Sequence, residues 1–218
     1  RTRDEMLGEA ERALLAEAGL RPAEPLGRAL AALVEHMDDR RFAELIDAIV
    51  QARRDLAQTI ADHGGVGLLI PAMWRGLGLE PGTDAQAILE TACIDGIDED
   101  GLRLACARLA EGSGTDRMRA AAIAAWLDAG DGRVALWERY IGAFLTQKGE
   151  PSGSYARTKA HKEMAPILER EADRLVNACD RLRAVRTAKA TEALLVVADA
   201  LLARYAAAKR GRALLDYD

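Results

Sequence analysis

Between Pro166 and Gly211 the chain contains neither glycine nor proline, and this absence constrains the fold more than any other feature of the sequence. An uninterrupted helix over those 44 residues spans about 65 Å at 1.5 Å per residue. Its apolar positions Leu175, Cys179, Leu182 and Val185, then Leu194, Val197, Leu201 and Tyr205, keep one stripe along most of that length. The segment Arg186 to Thr191 is the weak point of the stripe, where a bend or break is expected. A chain committed to such an element needs further helices to cover its stripe, and the rest of the sequence supplies them.

Apolar residues recur at three- and four-residue spacing almost everywhere, and alternating segments are nearly absent, so the fold class is all-α. Composition agrees: half of the residues are hydrophobic, only 4% are aromatic, and the apolar content is mostly Ala and Leu. A first helix is expected from about Arg3 to Ala18, ended by Gly19, and a second over 25–37 after "RPAEPLG". A third starts near Asp39, turns Phe42, Leu45, Ile46, Ile49 and Val50 to one side, and ends at the paired glycines of "ADHGGVGLL". Thr83, Asp98, and Ser113 or Thr115 are the candidate N-caps of three short amphipathic helices. The segment "DGRVALWERYIGAFL" predicts a helix bearing Trp137, Tyr140, Ile141 and Phe144. After it, "TQKGEPSGSYARTKAH" reads as a mobile loop. The organisation expected is an acidic helical part over 1–146, a mobile basic loop over 147–165, and a long return helix over 166–218.

Most chemistry is excluded before a site is sought. No Gly-Lys dipeptide occurs, so no ATP-binding loop of the Gly-rich Lys type is present. "DGIDEDG" at 95–101 places Gly96 at the first ligand position of a calcium loop and Ala107 where a bidentate Glu belongs, which leaves helix capping as the reading. His36, His63 and His161 each lack a His or Cys at metal-ligand spacing. Cys93, Cys106 and Cys179 are far apart, without a CxxC pair, and read as reduced core cysteines of a cytoplasmic protein. Trp74, Trp126 and Trp137 fall on apolar helix faces and are expected in the core. The longest apolar candidate, "GGVGLLIPAMW", is shorter than the roughly 18 residues a membrane span needs, so no membrane partner is expected.

Charge then points to one region. Residues 147–218 carry 14 Lys and Arg against 10 Asp and Glu, a net of +4, whereas 1–146 carry 16 against 25, a net of −9. An acidic partner such as nucleic acid is therefore expected at the C-terminal third. Lys148, Arg157, Lys159 and Lys162 lie within fifteen residues beside Tyr155, and Arg181, Arg183, Arg186 and Lys189 continue the trend. Such residues suit phosphate contact and base stacking. They equally describe an ordinary solvated helix face.

The stretch "FLTQKGEPSGSYARTKA" at 144–160 resembles a segment of the AddA family, the helicase-nuclease subunits of bacterial double-strand-break repair, in its alphaproteobacterial form. Phe144, Leu145, Thr146, Gly149, Glu150, Pro151, Thr158 and Lys159 carry the resemblance, and Ser152 and Gly153 depart from it where the family often has basic residues. "GSGTDRMRAAAIAAWL" at 112–127 is similar to the family segment upstream, and Asp216, Tyr217 and Asp218 match the start of its "DYDDLI" signature. The resemblance implies an internal fragment of a UvrD/RecB-like superfamily 1 helicase, corresponding to the helical insertion called subdomain 1B. It implies a parent protein that uses ATP and Mg²⁺, unwinds and resects duplex DNA, and works with an AddB-type subunit. The fragment itself is expected to contact double-stranded DNA and to hydrolyse nothing. The competing expectations are a module in which acidic residues 1–111 dock the partner subunit, and a helical regulator unrelated to helicases.

Overall fold

The computed structural model describes residues 2–35, 37–152 and 159–211, and among them the chain is all-α. The order is α1 (Thr2–Leu20), α2 (Pro25–Val34), α3 (Asp39–Gln51), α4 (Arg53–Asp62), α5 (Val66–Gly76), α6 (Ala85–Ala92), α7 (Glu99–Ala110) and α8 (Gly114–Leu127). Two 3₁₀ turns, Gly130–Gly132 and Val134–Leu136, lead into the short α9 (Trp137–Ile141), and α10 (Lys159–Gly211) ends the described chain. No helix among the described residues is long and apolar enough to cross a membrane.

The chain forms two compact units, Arg1–Gly82 with Arg186–Asp218, and Thr83–Val185. In the first, Leu14, Ile46, Ile49 and Val50 pack with Val197, Leu201 and Tyr205 of α10. The turn into α2 is tight. A Cβ at Gly27 would lie 2.6 Å from Arg21 O and Pro22 Cα, so only glycine fits, and Pro25 then starts the helix with its φ already set. Asp38 caps α3 by accepting from Arg41 N at 2.8 Å.

The single helix expected from Asp39 to the paired glycines is broken at Ala52, and the glycines end α4 instead. Nothing local in "VQARRD" requires the break; the cause is tertiary. Ile46, Ile49 and Val50 face the main core of this unit, while Ile60 of α4 joins Leu69 and Leu195 in a separate small cluster. Trp74 Nε1 donates to Glu192 Oε2 at 2.7 Å, and Arg204 of α10 pairs with Glu17.

In the second unit, Leu102, Ile123, Trp126, Tyr140, Phe144, Leu168 and Leu175 are fully enclosed. Trp126 stacks on Tyr140 with centroids 3.8 Å apart, and Tyr140 meets Phe144 edge-on at 5.2 Å. Trp74, Trp126 and Trp137 are all core residues, as their helix faces predict. Asp98 caps α7 through Gly101 N at 2.9 Å, and Ser113 opens α8 with a reciprocal pair of bonds to Asp116. At α6 the cap position falls on Asp84 rather than on Thr83.

The helix expected through Phe144 is reduced to α9. Arg133, between the two 3₁₀ turns that precede it, donates to Cys93 O, Leu127 O and Glu99 and so draws the chain into the unit there. The long helix starts at Lys159, ahead of Pro166, which α10 accommodates inside its run. Backbone helix continues through 186–191, and it is at Val185/Arg186 that the two units divide.

Candidate nucleic-acid interface

Residues 144–152, at the start of the expected mobile loop, form a hairpin, while residues 153–158 of that loop lie outside the described residues. Ser152 N donates to Phe144 O at 2.8 Å, Leu145 bridges Pro151 in antiparallel fashion, and Thr146 N donates to Glu150 O at 2.8 Å. Gly149 N closes the turn on Thr146 O at 2.8 Å, while Thr146 Oγ1 accepts from Glu150 N. This is a three-residue hairpin connection with a left-handed residue at its end, and Gly149 at φ +78° is that residue. Phe144 and Leu145 are buried beneath it. The pattern F-L-T-x-x-G-E-P thus has a physical reading: two core anchors, a turn, a left-handed glycine and a closing bridge.

Arg119 of α8 fastens the base of the hairpin from inside. Buried itself, it donates Nε to Ala143 O at 2.6 Å and Nη2 to Ser152 Oγ at 3.3 Å, tying together the residues that flank the turn. On the outside, the turn leans on α10. A Cβ at Gly149 would lie 3.2 Å from Arg183 Nη2, so the backbone passes directly beside that guanidinium. Arg183 also pairs with Asp180 at 2.7 Å, one turn earlier on the helix.

Lys148 stands exposed in the turn, and Arg181 and Arg183 are exposed on α10. Glu150 and Asp180 are the exposed acids beside them. Arg181 lies two residues from Arg183 on α10, a spacing that turns the two side chains to different faces of the helix.

The other described members of the basic group are spread along α10. Lys162 is exposed near the start of α10, 21 residues before Arg183, and therefore about 31 Å from it along the helix axis. Arg186 is exposed on the part of α10 that belongs to the other unit. Tyr155, Arg157, Thr158, Asp216, Tyr217 and Asp218 lie outside the described residues, as does the side chain of Lys159.

Beneath the hairpin lies a polar network that sequence reasoning did not single out. Glu171, buried, accepts Tyr140 Oη at 2.6 Å and receives Arg174 through Nε at 2.8 Å and Nη2 at 2.6 Å. Arg174 Nη1 reaches Ala92 O at 2.6 Å. Burial pulls the Arg174 guanidinium down, but the paired bonds to Glu171 prevail and hold it above its ordinary value. Burial first, and then the Glu171 charge, push the Tyr140 phenol up. A Glu and an Arg three residues apart on a long helix were the available signal. Arg119 offered none. Glu171 also lines a small surface cavity with Asp98 and Arg170, and the network ties α9 to α10.

The sequence holds no Gly-Lys dipeptide and therefore no phosphate-binding loop of that type, and no reaction step is assigned to these residues. His63, the described histidine, closes α4 with Nδ1 2.8 Å from Thr59 O. Comparison with protein-family models, curated proteins and solved structures finds no match to this chain.

Proposed function

We propose that the chain is a helical accessory domain of an AddA-like helicase-nuclease and that it contacts duplex DNA without catalysing a reaction itself. The observation that carries the reading is the exposed edge where the turn holding Lys148 and Gly149 abuts Arg183 of α10. The family-like segment 144–160 builds that turn, and the positive balance of residues 147–218 favours a polyanion on this side of the sequence. In this reading ATP, Mg²⁺ and the nuclease chemistry belong to other parts of a longer protein, and an AddB-type subunit is its partner.

The test is binding of the 218-residue chain to a labelled duplex as salt is raised. Three phosphate contacts predict about a 40-fold loss of affinity over a fourfold rise in salt. Replacing Lys148, Lys162, Arg181, Arg183 and Arg186 together by Ala should abolish that dependence; unchanged affinity and slope in this variant would overturn the proposal.

A second reading, docking of a partner subunit, is favoured by a separate observation. Leu20, Leu68, Ile94 and Leu104 are large, exposed and apolar, and all lie in the acidic part of the chain. Cross-links from an AddB-type subunit to residues 1–111 would support it.

A further inference from the structure

We infer that Arg183 is the phosphate-contacting guanidinium of this edge, set in its binding orientation beforehand by Asp180 on one side and the hairpin turn on the other. The inference rests on the DNA-contacting reading above and names the group that meets the phosphodiester.

Arg183 Nη2 lies 2.7 Å from Asp180 Oδ1, and the same nitrogen faces the bare Cα of Gly149. The side chain is nevertheless 55% exposed. A guanidinium carries five N–H donors in a rigid fork, so an acid on one edge leaves donors for a phosphate oxygen. Arg181 has the same charge and is exposed on the same helix, but makes no ion pair among the described residues. An arginine already immobilised loses less freedom on binding than a mobile one. Arg119 completes the arrangement, because it fixes the base of the hairpin that lines Arg183.

Glycine at 149 has two separate reasons. Its φ of +78° disfavours any other residue, and a methyl group there would push the guanidinium aside. Arg183 therefore lies against backbone in a conformation that favours glycine.

The experiment compares duplex affinity and salt dependence for R181A, R183A, R183K and G149A in the 218-residue chain, each checked by circular dichroism. R183A should weaken binding about tenfold, the loss of one charge-assisted hydrogen bond, and R181A about twofold, a diffuse charge effect. R183K should recover only part of the loss, since an ammonium restores charge but not the fork. G149A keeps every charge, so it should weaken binding by about threefold while leaving the salt slope unchanged. Equal losses for R181A and R183A, with full recovery in R183K, would overturn the inference while leaving the DNA reading intact, even if G149A fails to fold. Failure of the five-residue variant to lose salt-dependent binding would remove the reading on which it rests.

Discussion

In the unit formed by Thr83–Val185, three aromatic rings meet at the centre, and the buried Glu171 collects hydrogen bonds from Tyr140 and Arg174. The unit formed by Arg1–Gly82 with Arg186–Asp218 fills its centre with Leu14, Ile46, Val50, Val197 and Leu201, and its polar ties, Trp74 to Glu192 and Arg204 to Glu17, sit at part-buried or exposed positions. Aliphatic packing holds many arrangements of similar energy, because it asks only for the right volume. A buried carboxylate asks for particular donors at particular distances. The unit that presents the hairpin is thus the one whose core is specified by direction as well as by volume.

That contrast can be broken by mutation. Glu171→Ala should have the largest effect, about 4 kcal/mol, because it strands the Arg174 guanidinium and the Tyr140 hydroxyl. Urea unfolding followed by tryptophan fluorescence measures it. In the aliphatic core, Leu201→Ala, at a fully enclosed position, should cost about 3 kcal/mol from lost burial and the cavity left behind. If Leu201→Ala proves the more damaging of the two, direction matters less than the contrast supposes.

The smallest effect is at high pH and separates the units by composition, since Cys93, Cys106 and Cys179 all lie in Thr83–Val185. Burial pushes the Cys106 thiol up to about 11 from an unfolded value of 9.0. Below pH 9 both states hold the proton and this contribution to stability is complete. As pH rises toward 11 the unfolded chain ionises first, so the contribution is lost across that window. Urea midpoints measured from pH 8 to 10.5 should therefore fall, and fall less steeply in Cys106→Ala; parallel slopes would show that the thiol is not shielded.

Much of the fold was legible because helices announce themselves locally. The stripe of α10, the Asp98 and Ser113 caps and the core positions of the three tryptophans follow from spacing and side-chain chemistry alone. What was misread depended on distant partners. The break at Ala52 serves two different apolar clusters, and Arg133 curtails α9 by binding carbonyls at Cys93 and Leu127. The hairpin was missed for a different reason: with one bridge it has no alternating strands, so its only trace was the spacing from Thr146 to Gly149. In the candidate site, Gly149 and Arg183 are far apart in sequence and meet in space, whereas Lys148 and Lys162 are near in sequence and lie on different elements, the turn and the start of α10. Charge density along a chain counts neighbours by number, but a helix spaces them by rise.

The division of α10 between the units has a consequence for how the chain is made. Within these residues Arg1–Gly82 leave the ribosome before Thr83–Val185, and the α10 residues that complete their core, Val197, Leu201 and Tyr205, emerge only afterwards. Closing contacts over so long an interval is slow. Leu14, Ile46 and Val50 therefore wait for their α10 partners while the aromatic unit between them can already assemble, so of the two units the interrupted one is completed later and is the more exposed to aggregation.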